Sequence, residues 1–319
     1  MSPRMRYILE RILLTIPTLL AMSVFVFLLI RLVPGDPVQT MLGFRATPQN
    51  VATIRHQLHL DEPLITQYRE WLSALLHGDL GRDYVSHAPL SELLRSAIPV
   101  TLELTLLSMG LALVAGVPLG VLGAQGPGLA RRLTDGFVIG GVSVPDFWLG
   151  TLLVLLFSAT LVWLPPSGYT PFTADPLANL RYMILPVTTL AIGEAAYISR
   201  TTRGAMEEAL GAPFVTFLRA KGLPERSIVY RHALRNASVP IVTVAGIQFG
   251  VLLGGAIVIE TLFGLPGVGR LTVTAINQRN YTVVQGAVLV IATLFIVVNL
   301  LTDLLYGWLD PRISAGGER

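Results

Sequence analysis

The sequence predicts an all-α polytopic membrane protein of six transmembrane helices, with a folded external helical insert between the first and the second. Three observations predict it: an apolar composition, a series of charge-free intervals of spanning length, and an uneven placement of basic residues. Of 319 residues, 52% are hydrophobic and 13% charged, against roughly a quarter charged in soluble domains, and the mean hydropathy is +0.64. A single protein core cannot hide that much apolar surface, whereas lipid can.

The nineteen residues 12–30, between Arg11 and Arg31, carry no charge, and a helix needs about 20 residues to cross a hydrocarbon layer of about 30 Å. Intervals 104–130, 147–174, 236–259 and 280–302 are also free of Asp, Glu, Lys and Arg. Interval 182–199 contains Glu194, yet it counts as a span, because omitting it moves the Arg-rich segment that follows to the opposite side. In this topology Arg4, Arg6, Arg11, Arg131, Arg132, Arg200, Arg203, Arg219, Lys221, Arg226, Arg231, Arg235, Arg312 and Arg319 fall inside, fourteen of the 23 Lys plus Arg. Short cytoplasmic segments attract such residues, so six spans with both termini cytoplasmic satisfy the bias. The first apolar run is longer than a signal-peptide core and ends in Arg31-Leu32-Val33-Pro34-Gly35 rather than in small-residue cleavage chemistry, which predicts a retained helix.

Several functions are disfavoured at once. There is no cysteine, which removes disulfides, thiolate chemistry and Cys-based metal sites. His56 and His59 share a helical spacing but have no ligand cluster beside them, which predicts a surface role. A sequence pI near 9.4 suggests nucleic acid, but the basic residues are dispersed between apolar spans instead of forming one stripe, so membrane topology explains them.

Residues 33–98 form the external insert, punctuated by Pro48, Asp61-Glu62-Pro63 and Gly78-Asp79-Leu80-Gly81 around a short helix at 64–76. There Trp71, Leu72, Leu75 and Leu76 are expected to pack the insert onto the membrane face or, as the favoured reading, into a small core of its own.

The segment 200–239 is too long and too patterned for a plain connector. Phe214, Phe217 and Leu218 recur at i, i+3 and i+4, an apolar stripe on a short helix, with Arg219 and Lys221 facing elsewhere. Ala220-Lys221-Gly222-Leu223-Pro224 breaks it, Gly222 suiting a left-handed C-terminal position and Pro224 the first turn of a second helix, 225–235. Pro240 is expected to mark re-entry into the membrane. An amphipathic hairpin held by anionic lipid is one reading. A small-residue turn between apolar positions also fits the groove of a partner protein, and this reading accounts better for the glycine.

The run Phe214-Val215-Thr216-Phe217-Leu218-Arg219-Ala220-Lys221-Gly222-Leu223, followed by Arg231-His232-Ala233-Leu234-Arg235-Asn236-Ala237 and Pro240, resembles the cytoplasmic coupling loop of the dipeptide/oligopeptide/nickel permease family of ABC importers. Further similar motifs are Val33-Pro34-Gly35-Asp36-Pro37, His77-Gly78-Asp79-Leu80-Gly81, Thr101-Leu102-Glu103-Leu104, Ile184-Leu185-Pro186, Leu265-Pro266-Gly267-Val268-Gly269-Arg270, Val284-Gln285-Gly286 and Asp310-Pro311-Arg312-Ile313. The similarity runs from the first helix to the last ten residues and is to the first of the two permease subunits, closest to dipeptide permeases. Family members often carry small residues where Phe217 and Leu218 stand and a tyrosine where Phe214 stands, and the Glu-Ala-Ala form of the loop motif is not spelled out before Gly222.

The resemblance implies the type I importer permease fold, with an N-terminal tip and first helix at 1–32, the insert at 33–98, a permease core at 99–308 holding the coupling loop 204–238, and a cytoplasmic tail at 309–319. It implies a bacterial inner-membrane protein that works by alternating access with a second homologous permease subunit, two cytoplasmic ATP-binding subunits and an external solute-binding protein. Its coupling residues would be Phe214, Phe217, Leu218, Arg219, Ala220, Lys221, Gly222, Leu223, Arg231, His232 and Leu234. No phosphate-binding Gly-x-x-x-x-Gly-Lys-Ser/Thr loop occurs in the sequence, so ATP and Mg2+ are expected on the partner ATPases, with no cofactor, metal or catalytic site in this chain. Pro165-Pro166-Ser167-Gly168-Tyr169 resembles an external loop of the peptide branch and favours small peptides, with nickel, a nickel chelate or glutathione as alternatives.

A secondary transporter or channel would show paired ionisable residues at mid-membrane or inverted repeats of broken helices, and neither is evident. Glu103, Asp146, Glu194, Glu260 and Asp303 stand near span ends or interruptions, where capping or headgroup-level water explains them. Of these, Glu260 is the candidate for the translocation path, because it follows an apolar run and precedes an external Gly/Pro loop. A membrane enzyme lacks support, since neither a Ser/His/Asp set nor a His-Glu-x-x-His motif occurs.

Overall fold

The computed structural model describes residues 3–32, 38, 46–57, 61–126 and 128–309. Two of the motifs above, at 33–37 and 310–313, together with His59 and most of the tail 309–319, lie outside the described residues.

Twelve helices are described: α1 (Pro3–Leu32), α2 (Pro48–Gln57), α3 (Leu64–Leu76), α4 (Leu90–Gln125), α5 (Gly128–Ser143), α6 (Asp146–Leu153), α7 (Pro176–Gly211), α8 (Pro213–Ala220), α9 (Glu225–Ser227), α10 (Leu234–Phe263), α11 (Val268–Asn277) and α12 (Tyr281–Leu309). π-Helical stretches extend α6 over Val154–Thr160 and join α9 to α10 over Ile228–Ala233. Five helical runs are long and apolar enough to cross a membrane, and six if α5 and α6 count as one broken span.

That broken span corrects the expected position of the third crossing. The interval 147–174 is not one helix: α5 and α6 meet at a 103° bend, and an irregular loop follows from 161. Pro145 causes the break, since it has no N–H to donate and disfavours helical backbone at Val144 before it; it stands extended, ψ 136°, ahead of α6. The charge-free window hid α5 because Arg131, Arg132 and Asp135 lie in its first turns. Two of these charges are paired across to α7: Arg203 reaches Asp135 while its Nε donates to Glu207 at 3.0 Å, and Arg131 lies 3.7 Å from Glu207. The second crossing likewise begins at Leu90, inside the range expected for the insert.

The bundle is organised on α4 and α7, which run parallel at glycine distance. A Cβ on Gly116 would stand 2.7 Å from the Ala195 carbonyl oxygen, and one on Gly120 would stand 2.5 Å from Thr202 Cβ and 2.6 Å from the Ser199 carbonyl oxygen. The central core gathers Leu104, Ala112, Met183, Leu190, Leu253 and Ile259 from α4, α7 and α10. Glu194, expected to weaken its span, sits within the continuous helix α7, 8% exposed, with a hydrogen bond from Gln248 Nε2 at 2.9 Å. On the outside, α1 leans on α12 and turns Leu13, Leu14, Leu20 and Phe25 outward. Arg11 near its start pairs with Asp303 near the end of α12 at 3.0 Å. The first and last helices therefore begin and finish at one end of the bundle, as an even number of crossings requires.

The insert docks at the other end. Trp71 does not close a core within the insert; its ring packs with Phe27 of α1 at 5.8 Å, and Tyr68 adds an edge contact to Phe27 at 5.2 Å and a hydroxyl pairing with Ser23 at 2.8 Å. Farther along, Asp83 meets Asn280, and Thr282 donates to the Tyr84 hydroxyl at 2.6 Å, fastening the insert to the start of α12.

The α4–α7 contact generates a stability prediction. Gly120→Ala forces a methyl into occupied space, at a cost of about 1–3 kcal/mol for overpacking, whereas Gly110→Ala, on the same helix, meets nothing within 4 Å. Thermal unfolding in detergent is expected to show a lowered Tm for Gly120→Ala and an unchanged or raised one for Gly110→Ala.

Candidate functional site

The predicted coupling residues lie on a hairpin that α7 and α10 hold at the basic end of the bundle. Helix α8 ends in a glycine-terminated cap of the Schellman type: Gly222 has φ +77°, its N–H donates to the Arg219 carbonyl at 2.9 Å, and the Leu223 N–H reaches back to the Leu218 carbonyl at 3.2 Å. A Cβ at Gly222 would meet nothing within 4 Å, so the turn projects free of the chain. Across it, Arg219 Nη2 donates to Glu225 Oε1 at 2.6 Å. That bond holds the Glu225 carboxyl below its ordinary pKa and the guanidinium above its own.

The apolar stripe is corrected in detail. Phe217 is 59% exposed, with the Lys221 ammonium 4.7 Å from its ring, so Lys221 shares the face of Phe217 instead of opposing it. Phe214, Leu218 and Leu223 are half-buried, and the residue that closes the hairpin is Val215, fully buried, with Ile228 buried on the second limb. A helix of two turns offers too few residues for periodicity to choose between a stripe through 214 and one through 215. Ala220 and Arg231 are exposed, while His232 and Leu234 are half-buried. Leu234 packs on a cluster of Val121, Met206, Val229, Ala233 and Ile241, which ties the hairpin to α4, α7 and α10 together. The second limb is also not a separate helix: helical backbone runs from Glu225 to Phe263, and Pro240 lies inside α10.

At the opposite end the structure places Glu260 differently from the expected path position. It is 0% exposed. Its Oε1 accepts from Thr101 Oγ1 at 2.6 Å, and its carboxylate also receives the N–H groups of Gly269 and of Arg270, the latter at 3.0 Å. Thr101 in turn accepts from the Val268 N–H at 2.9 Å. Glu260 thus caps the first turn of α11, where a carboxylate is favourably placed against free N–H groups. Gly267 permits the approach, since a Cβ there would fall 2.3 Å from Glu260 Cδ. Thr101, Gly267 and Gly269 joined the expected motifs only as sequence, and their convergence on Glu260 spans 159 residues, beyond any local pattern. Beside this clasp Tyr169 donates to Glu103 at 2.7 Å; burial first, and the carboxylate second, raise the pKa of the phenol.

The helical bundle agrees with comparisons to known proteins. Residues 116–315 match the profile described as binding-protein-dependent transport system inner membrane component, and residues 4–105 match its N-terminal membrane component profile. The chain belongs to this family.

A Brucella abortus protein named as a peptide transport system permease is 42% identical over 310 residues, covering 96% of this chain and 98% of that protein. The dipeptide transport system permease of Alkalihalophilus pseudofirmus is 37% identical over 97% of this chain and 99% of its own length. The glutathione transport system permease of Salmonella typhimurium is 41% identical over 97% and 99%. Among solved structures, a chain of the inward-facing methionine ABC transporter MetNI superposes with a TM-score of 0.58 at 21% identity, over 69% of this chain and 97% of that one; this likeness shows the fold. The chain is accordingly a multi-pass transporter permease subunit with the type I importer fold.

In this permease the clasp makes a direct prediction. Glu260→Ala leaves the buried Gly269 N–H, the part-buried Arg270 N–H and the Thr101 hydroxyl without their acceptor, at about 1–3 kcal/mol for each buried unsatisfied group. Tm is expected to fall, and a cysteine placed at Thr274, on α11, is expected to react faster with a water-soluble thiol reagent than in the Glu260 background. Unchanged reactivity would show that the clasp does not hold α11.

Proposed function

We propose that this chain is half of the translocation path of an ATP-driven importer for small peptides in the bacterial cytoplasmic membrane, with both termini cytoplasmic. A second homologous permease subunit completes the path, an external binding protein delivers solute, and two cytoplasmic subunits bind ATP and Mg2+ and dock on the α8 hairpin. The basic end is then cytoplasmic and the insert end external, in keeping with the positive-inside bias. The observation that carries this reading is the hairpin: a two-turn helix and a free left-handed glycine turn, braced by Arg219–Glu225 and rooted in α4, α7 and α10. Such a projection transmits a push from a partner into the bundle, because its root and the helices share one packed cluster. The peptide assignment is supported by the names of the Brucella and Alkalihalophilus relatives. Glutathione, carried in the name of the Salmonella relative, is itself a peptide derivative and is the second reading of the same path.

The chain works by alternating access in this reading: partner closure displaces the hairpin, and rigid α4, α7 and α10 carry the displacement toward the clasp at the other end. It holds no catalytic group of its own, and hydrolysis takes place on the partners.

Gly222→Asp tests the docking. Within the chain the substituent meets open space, so the variant costs only the strain of a left-handed non-glycine residue, about 1 kcal/mol. Against a partner groove it adds a desolvated carboxylate costing several kcal/mol. Membrane insertion and Tm are expected to stay near wild type, while solute uptake and copurification of the ATPase subunits fall about tenfold or more. The exposed Arg226→Ala serves as the surface control. Normal uptake with a full complement of bound ATPase would overturn the docking role and leave the lipid-held hairpin.

A further inference from the structure

Between α7 and α10 lies a hollow of about 380 Å3, within the range of roughly 300–1,000 Å3 typical of small-ligand sites. Tyr197, Arg200, Thr201 and Gly204 of α7 and Val244 and Gln248 of α10 line it. The outward surface of α1 is apolar, as lipid demands, with Leu13, Leu14 and Phe25 exposed. This wall instead presents a guanidinium, a carboxamide and a hydroxyl within two spanning helices. Arg200 stands at the cytoplasmic end of its span and Gln248 deeper, within the interval 236–259, so the wall leads from the cytoplasmic mouth into the bundle; polar groups along it face water, because lipid would leave them unsatisfied.

The two ends of the wall differ, a carboxamide at one and a guanidinium at the other. Gln248 Nε2 donates to Glu194 at 2.9 Å, and Glu194 stands behind it, 8% exposed. With that N–H committed, the remaining acceptor of the amide is Oε1, backed by a carboxylate. Toward the other end Arg200 is exposed, and no carboxylate pairs with it among the described residues. Its neighbour Arg203 differs, being engaged by Asp135 and Glu207. The larger hollow between α5 and α7, about 680 Å3, is lined by those three residues. Arg200 lines that hollow as well, where Asp135, Arg203 and Glu207 satisfy one another.

Gln248 meets α7 at Glu194, six residues before Arg200, an axial rise of about 9 Å at about 1.5 Å per residue. An extended chain spans at most about 3.3–3.6 Å per residue, so the termini of a di- or tripeptide stand about 7–10 Å apart. We infer that the hollow is a resting site on the path for the zwitterionic backbone of a di- or tripeptide. The solute carboxylate lies on the Arg200 guanidinium, its α-ammonium on Gln248 Oε1, and Glu194 acts as the positioning residue that orients and polarises that amide. Charge-assisted hydrogen bonds of this kind are the stronger ones, while the open wall and the solvated Arg200 keep the stop short enough for release. The Tyr197 ring, 41% exposed, offers a non-selective surface to solute side chains. This inference rests on the peptide reading of the path.

The chain contains no cysteine, so Ile247→Cys, on the same wall and 56% exposed in the native residue, introduces its one thiol. The assembled importer, held in nanodiscs, is treated with a water-soluble maleimide, and modification of this chain is followed by mass. At ten times the half-saturating concentration, alanyl-alanine is expected to slow the reaction about tenfold, and N-acetyl-alanyl-alanine amide, which has neither charge, is expected not to slow it. Arg200→Gln removes the protection and Arg200→Lys retains it, while the rate without peptide reports that the hollow is still formed. Failure of the thiol to react from water at all, or equal rates with and without alanyl-alanine, overturns the site. Uptake of alanyl-alanine by the same complex separates the two failures: uptake without protection removes this site and leaves the peptide importer standing, whereas no uptake of any di- or tripeptide removes both.

Discussion

Gly116 and Gly120 bring α4 onto α7 so closely that a methyl group on either would overlap backbone or Thr202. In lipid there is little hydrophobic gain in bringing two helices together, so association depends on close packing of small residues. Here that contact joins two helices of 36 residues each, running parallel from the insert end to the basic end. The hairpin and the clasp are attached to opposite ends of this pair. The hairpin is rooted beside Val121 and Met206, and the clasp is closed by Thr101, near the opposite end of α4.

The two ends are built from different physics. At the basic end the hairpin is held by apolar burial of Val215, Ile228 and Ala233, and its tip by a glycine cap and an exposed ion pair. Exposed pairs contribute little to stability, so the Arg219–Glu225 pair sets the angle of the turn more than it secures it. At the insert end the closure is polar and dry. A carboxylate with 0% exposure is satisfied by one hydroxyl and two backbone N–H groups, an arrangement that tolerates no partial loss. The two ends thus differ in kind, an exposed turn on an apolar root at one and a buried polar closure at the other.

The broken span α5–α6 stands apart from this axis. Its first half is held against α7 by Arg203, Asp135 and Glu207, and its second half reaches Leu262 and Phe263 through Gly150. The bend at Pro145 therefore bridges both ends of the bundle without lying in the α4–α7 seam. A proline break in a membrane helix is tolerated when neighbouring helices cover the freed backbone.

Much was already legible in the sequence. Composition, charge-free runs and the bias of basic residues determined a six-crossing helical bundle, because a bilayer imposes length and polarity on each span locally. The glycine turn at 222 was equally local, since a cap is decided by the few residues around it, and the motifs from Thr101 to Gly286 carried the family. Tertiary structure alone decided three things. It placed the third crossing at α5–α6, because Arg131 and Asp135, two of the charges that disguised α5, find partners on another helix. It buried Val215 in place of the Phe214–Phe217 stripe, because two turns of helix do not specify their own inner face. It took Glu260 off the open path and made it a cap for α11, because its partner Thr101 is 159 residues away and only the packing of α4 against α10 brings the two side chains within 2.6 Å.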